Sequence, residues 1–144
     1  MIFLDAYALV ALAMDEPSAE AVQEILRSED ARVTVVNLAE TVDVAARVHG
    51  APGRLVRDAF EPLLLSKALT GVVSDERDAW RAGELRAHHY DRRTRALSLP
   101  DCFLVTHALD DRAAIATADP AVAGVARAEG VEVIPLPDSA GRRP

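Results

Sequence analysis

Short apolar runs alternate with longer segments whose apolar residues recur at helical spacing. Ile2–Leu4 is a three-residue apolar run closed at once by Asp5, the pattern of a buried strand ending at its carboxyl edge. Ala6–Met14 then reads as a helix. Asp15-Glu16-Pro17-Ser18 is a turn, with Ser18 placed to cap a helix that carries Val22, Ile25 and Leu26 on one face. Val33–Val36 is β-branched and predicts a second strand, after which Asn37 is positioned to cap a helix with Leu38, Val42 and Ala45 in register. Pro52 is expected to open a further helix through Leu55, Ala59 and Leu63, with Pro62 able to kink or end it.

The second half repeats the pattern. Leu69–Val73 predicts a third strand, and Ser74 a cap for a long polar helix reaching about Tyr90. Pro100 suits the first turn of a helix through Leu104 and Ala108. Ala114–Ala116 predicts a fourth strand, Pro120 starts another helix, and Val131–Ile134 predicts a fifth strand. Strands that alternate with helices imply an α/β domain with a mainly parallel sheet covered on both faces. The length of 144 residues suits one domain, assigned to 1–136; residues 137–144 have little to bury and are expected to form a disordered tail.

Composition narrows the class without naming a function. Half of the residues are hydrophobic and 27% are charged, the balance of a globular protein. Cys102 is the single cysteine, so no internal disulfide forms, and no Cys/His spacing suggests zinc. The longest apolar run, Ala6 to Met14, is far short of the ~20 residues that cross a bilayer. No Lys or Arg precedes Asp5, which argues against a signal peptide, so a cytoplasmic location is expected. A net charge of −7 argues against binding nucleic acid through a generally basic surface. It leaves room for a nuclease, because acidic metal ligands lower the net charge and bound cations reverse the local field.

Four acids stand near predicted helix starts: Asp5, Glu40, Asp101 and Asp119. Each has a structural explanation. Asp5 and Asp119 can be N-caps, and Asn37-x-x-Glu40 and Ser98-x-x-Asp101 resemble capping boxes. In an open parallel sheet, however, strand-to-helix junctions share one edge, and ligands bind there where the strand order reverses. Four carboxylates meeting in such a crevice would repel one another and raise at least one pKa. Oxygen ligands of this kind suit Mg²⁺ or Mn²⁺. A pair of divalent ions about 4 Å apart can then activate a water and steady the leaving oxygen of a phosphodiester, with no side-chain nucleophile. None is evident, since Cys102 is expected to be buried and Ser98 has no His partner.

At these residues the sequence resembles the PIN-domain family, specifically its VapC-type toxins. Ile-Phe-Leu-Asp5-Ala is similar to the family's first motif, Val-Asn-Leu-Ala-Glu40 to the second, Leu-Ser-Leu-Pro-Asp101 to the third, and Ile-Ala-Thr117-Ala-Asp119 to the fourth. The resemblance implies a three-layer fold with a five-stranded sheet in the order 3-2-1-4-5. It also implies Mg²⁺- or Mn²⁺-dependent endoribonuclease activity, the role of toxin in a type II toxin–antitoxin system, and inhibition by a VapB-like antitoxin. By the same resemblance Asp5, Glu40, Asp101 and Asp119 are catalytic metal ligands, and Thr117 is a supporting hydroxyl. One position departs: the family often has Ser, Thr or Asn two residues after the first Asp, and Tyr7 stands here.

Other features admit two readings. Between Arg77 and Arg95, six arginines face Asp78, Glu84 and Asp91, a local net of +3. Arg81, Arg86, Arg92 and Arg93 are candidates for holding RNA phosphates, or belong to a solvated helix face with a basic end. His49 and His107 read as surface or packing residues, and Trp80 and Phe60 as core or interface anchors. Leu55, Val56, Phe60, Leu63, Leu64 and Leu65 exceed what one helix face buries, so a homodimer is expected, as in PIN toxins. A haloacid-dehalogenase-like phosphatase would need a second Asp where Tyr7 stands. A response-regulator receiver would need a Lys near the acids, and the only one is Lys67. The alternative from another class is a PIN-like RNA- or protein-binding module with impaired catalysis.

Overall fold

A computed structural model describes residues 1–144. In chain order the elements are β1 (Ile2–Leu4), α1 (Ala6–Met14), α2 (Ala19–Ser28), β2 (Ala31–Thr34), α3 (Val35–His49), α4 (Gly53–Leu65), β3 (Thr70–Val72), α5 (Glu76–His89), α6 (Leu99–Asp111), β4 (Ala114–Thr117), α7 (Pro120–Ala128) and β5 (Val133–Pro135). The five strands form one sheet in the order β3-β2-β1-β4-β5, parallel throughout. This is the expected α/β architecture, with seven helices around the sheet.

The side-chain alternation of β1 and β4 divides the interior in two. Ile2, Leu4, Ala114 and Ala116 point into one core with Leu9, Val22, Val33 and Phe60. Phe3 and Ile115 point into the other with Leu97, Leu104, Val105 and Val122. Short strands suffice because the central ones are buried on both faces. Almost every residue of α1 is apolar, and five of its nine are buried, which fits a helix enclosed by α2 and α3.

Several boundaries differ from the sequence-based expectation. The second strand ends at Thr34, and Val35–Val36 open α3. Thr34 is the cap, its Oγ1 accepting from the Asn37 amide at 3.0 Å, so Asn37 is in the first turn and Glu40 in the second. A cap bond thus outweighs the β-branched preference of two valines. Asp75 rather than Ser74 caps α5, because Asp75 and Asp78 close a reciprocal capping box. Ser18 occupies the cap position of α2 but makes no cap bond; its hydroxyl donates instead to the Pro137 carbonyl. Pro62 lies inside α4 without ending it at once, three residues before its end. Trp80 is 75% exposed and does not anchor the core, whereas Phe60 does. Of the apolar residues of α4, Val56 and Phe60 are buried, and Leu55 and Leu65 are left exposed.

Candidate active site

β1 is central, with β2 on one side and β4 on the other. The chain runs β1-β2-β3 in one direction across the sheet and returns to the other side of β1 for β4. The crevice beyond the carboxyl ends of β1 and β4 is therefore the reversal point where α/β sheets bind ligands. Asp5, Tyr7, Glu40, Ser98, Asp101 and Asp119 line a cleft of about 230 Å³ there. All four sequence-predicted acids are thus brought to one cleft.

Each acid is held by local bonds. Asp5 caps α1, its Oδ1 accepting from the Ala8 amide at 2.7 Å. Its Oδ2 accepts from the Thr117 hydroxyl at the end of β4. The Thr117 oxygen also accepts from the Asp119 amide at 2.9 Å, so one hydroxyl spans two acids. Asp119 caps α7 by accepting from the Ala121 amide at 2.6 Å. Ser98 and Asp101 form the anticipated capping box on α6, with Ser98 N donating to Asp101 at 2.8 Å and Asp101 N donating to Ser98 Oγ at 3.1 Å. Glu40 accepts from the Ser98 hydroxyl at 3.1 Å and from the Asn37 side-chain amide at 3.3 Å. Ser98 and Asn37 are positioning residues that the expectation of simple caps did not include. The cap role and a place in the cleft prove compatible, because each carboxylate that accepts an amide proton still has lone pairs free.

The electrostatics follow from burial first. Asp5 is 2% exposed, and loss of water lifts its carboxyl to about 7; the Thr117 and Ala8 bonds pull it down, and the charges of Asp101 and Asp119 push it up. Burial also lifts Glu40 to about 7, with the Asp101 charge adding to it. Asp101 is raised by burial, against its bonds from Ser98. Repulsion between carboxylates, the cause anticipated from the sequence, is present but second to desolvation. Burial pushes the Cys102 thiol up to about 12, so it supplies no thiolate nucleophile.

The donor set is all oxygen, which suits a hard divalent cation. No three His, Cys, Asp or Glu side chains are close enough to hold one ion together. What fits is an ion held by one or two carboxylates and completed by water, the ordinary state of Mg²⁺. Asp101 and Asp119 each leave one carboxylate oxygen outside their cap bonds for it.

The remaining candidates lie elsewhere. Arg81 pairs with Asp110, nine residues along α6 from Asp101, roughly 14 Å of helix. Arg86 donates to the Leu97 carbonyl at 3.1 Å and stacks over Tyr90. Arg92 and Arg93 are exposed in a tight hairpin closed by Asp91 and Arg95, just before the cleft residues Ala96 and Ser98. His107 is buried in packing against Phe3 and accepts or donates one bond to Ser74, and His49 lies beside Glu16 at the surface. Residues 137–144, expected to lack order, form no helix or strand but fold back on the domain: Tyr7 and Ser18 both donate to the Pro137 carbonyl.

Comparison with known proteins agrees with the fold. The structure is similar to that of the sarcin–ricin loop-cleaving toxin VapC20 of Mycobacterium tuberculosis, with 17% identity, a TM-score of 0.70, and 86% of this chain and 94% of that one covered. It is also similar to VapBC2 of Rickettsia felis bound to a promoter DNA fragment (14% identity, TM-score 0.65, 93% and 98% covered). FitAcB of Neisseria gonorrhoeae matches at 21% identity and a TM-score of 0.60, with 93% and 96% covered. No curated protein matches the sequence. No helix is long and apolar enough to cross a membrane. The PIN domain family model matches residues 2–128, and with its four acids gathered at the sheet reversal the chain belongs to the PIN domain family.

Proposed function

We propose that this chain is a Mg²⁺- or Mn²⁺-dependent endoribonuclease and the toxin of a type II toxin–antitoxin pair. The observation that carries the reading is the convergence of Asp5, Glu40, Asp101 and Asp119 on one cleft at the β1/β4 reversal. The similarity to an RNA-cleaving toxin and to toxin–antitoxin complexes supports it.

In this reading one or two of the four acids would bind the cation directly, Asp101 and Asp119 having an oxygen outside their cap bonds, and the others would act through its waters. Thr117 positions Asp5 and Asp119. A bound divalent cation supplies Lewis-acid polarisation of the phosphodiester and a water acidic enough to attack it at neutral pH. The chain's own residues set the geometry. Thr117 fixes the Asp5 carboxylate plane and the Asp119 backbone together. Ser98 couples the start of α6 to Glu40, so that carboxylates from α3 and α6 move as a unit. Tyr7 forms one wall of the cleft and limits which strands enter it. Arg92 and Arg93, in the hairpin before the cleft, are the best placed of the basic residues between 77 and 95 to meet RNA phosphates.

The partners are an RNA strand, a VapB-like antitoxin and a second copy of the chain, in the cytoplasm. An apolar groove between α3 and α4, lined by Leu38, Val42, Val56, Phe60 and Leu64, supports a protein partner on this side. The second reading is a PIN-like binding module without catalysis. It is favoured by Tyr7 in the cleft wall and by the spacing of the acids.

Incubation of the purified chain with single-stranded RNA separates the two. Cleavage that requires Mg²⁺ or Mn²⁺, stops with EDTA and is lost in Asp5→Asn and Asp101→Asn is the expected result. Cleavage undiminished in EDTA or in Asp101→Asn overturns the metal-nuclease reading. RNA binding without cleavage by the folded wild type selects the binding module.

A further inference from the structure

The last seven residues close a second cavity directly beside the acidic cleft. It has a volume of about 340 Å³ and is lined by Ala118, Pro120, Asp138, Arg142, Arg143 and Pro144. Ala118 and Pro120 flank Asp119 in sequence, so the two cavities share the turn that carries this acid. A second bridge joins them: Tyr7 lines the acidic cleft and donates to the Pro137 carbonyl, next to Asp138.

The tail is organised locally. Asp138 Oδ1 accepts from the Ala140 and Arg142 amides, both at 2.8 Å, and Gly141 takes a φ of +79°, a conformation that glycine adopts without strain. Arg142 Nε and Nη2 reach Asp138 Oδ2 at 2.9 and 2.8 Å, and Arg143 Nη1 donates to the Pro135 carbonyl. Ser18 adds a buried anchor at the Pro137 carbonyl. Both guanidinium groups are thereby positioned while keeping further N–H donors for a ligand. Asp138 pairs with Arg142, and Arg143 makes no ion pair, so one guanidinium in this cavity has no carboxylate partner although the chain as a whole carries −7.

We propose that Arg142 and Arg143 bind a backbone phosphate of the RNA strand, next to the phosphodiester held at the acidic cleft. The inference rests on the nuclease reading, which places RNA at Asp119. The planar guanidinium fork matches phosphate geometry, and a phosphate has no base identity, so the contact fixes the strand's register without reading its sequence. An acidic crevice that needs cations to accept RNA gains a metal-independent grip from such a pair.

Fluorescence anisotropy tests it with a pool of fluorescein-labelled single-stranded RNA 12-mers in Mg²⁺, using Asp101→Asn protein to prevent cleavage. Adding Arg142→Ala and Arg143→Ala should weaken binding about tenfold and lower the slope of log K against log[salt] by about 0.7, the value for one phosphate of a single strand. Arg142→Lys with Arg143→Lys should keep the slope, and Arg27→Ala, on the exposed face of α2, should change neither quantity. Unchanged affinity and slope in the double alanine variant, or an equal loss in Arg27→Ala, overturns the proposal. If the wild type also cleaves RNA, that result leaves the nuclease reading standing. A wild type that does not cleave, with an Asp101→Asn form that does not bind, overturns both.

Discussion

The Thr117 hydroxyl donates to the Asp5 carboxylate across 112 residues of chain, and its oxygen accepts from the Asp119 amide. β1 and β4 lie side by side, with Leu4 in register with Ala116, so Asp5, just after β1, meets Thr117, the last residue of β4, at the sheet edge. Thr117 is fully buried, and its one hydroxyl is the direct link between the first and fourth acids.

Thr117→Val keeps the shape of the side chain and removes both bonds. It leaves a buried carboxylate and an amide each one partner short, which should cost about 1–3 kcal/mol. Urea unfolding in EDTA measures that loss, and calorimetric titration with Mn²⁺ should show weaker binding. Thr117→Ser should recover most of both. Equal stability of the valine variant and the wild type would refute the link.

Ser98 joins two acids in the same manner, accepting from the Asp101 amide and donating to Glu40. Ser98→Ala should lose about 1 kcal/mol as an N-cap. Its bond also lowers the Glu40 pKa, so its removal should raise that pKa further. NMR titration of the Glu40 side chain in metal-free protein reads this shift, and a pKa left in place would show that the bond is not made in solution.

Burial of Asp5 and Glu40 makes metal-free stability depend on pH. Both carboxyls have folded pKa values near 7, above their ordinary values of 3.8 and 4.5, so the folded state binds more protons between about pH 4 and 7. Stability should therefore rise as pH falls from 8 towards 5, by roughly 2.7 kcal/mol from Asp5 as an upper limit, for the two units between a pKa of about 7 and pH 5. Below about pH 4 the trend reverses, because Asp110 is held low by Arg81, and Asp91 by the Thr94 and Arg93 amides. Asp5→Asn should flatten the rise from pH 8 to 5, and Mn²⁺ should stabilise the wild type most at pH 8. Melts in EDTA at several pH values, with greater stability at pH 8 than at pH 5.5, would contradict the burial of these groups.

Cys102 is buried with its thiol pushed up to about 12. It should react with a disulfide reagent only through unfolding, so that labelling in native buffer follows the unfolding equilibrium. Rapid labelling of folded protein would show that the start of α6 opens on its own.

Much of this architecture depends on interactions within a few residues, and that part was legible in the sequence. Apolar runs at Ile2–Leu4 and Ala114–Ala116, the helical spacing of Val22, Ile25 and Leu26, and the Ser98–Asp101 box each act within a turn or a strand. Even there, Thr34 and Asp75 displaced the expected caps, because several side chains near a helix start can compete for the same amides. The acids were visible as residues, the shared edge of a parallel sheet suggested that they could meet in one crevice, and resemblance supplied their role as ligands and the strand order. Only the tertiary structure decided that Asp5, Glu40, Asp101 and Asp119 share one cleft, that desolvation rather than mutual repulsion dominates their titration, and that the Arg142–Arg143 turn packs beside Asp119. The reason is physical: periodicity and capping reach only a few residues along the chain. Burial and the approach of Thr117 to Asp5 depend on which strands lie side by side, and on what covers them.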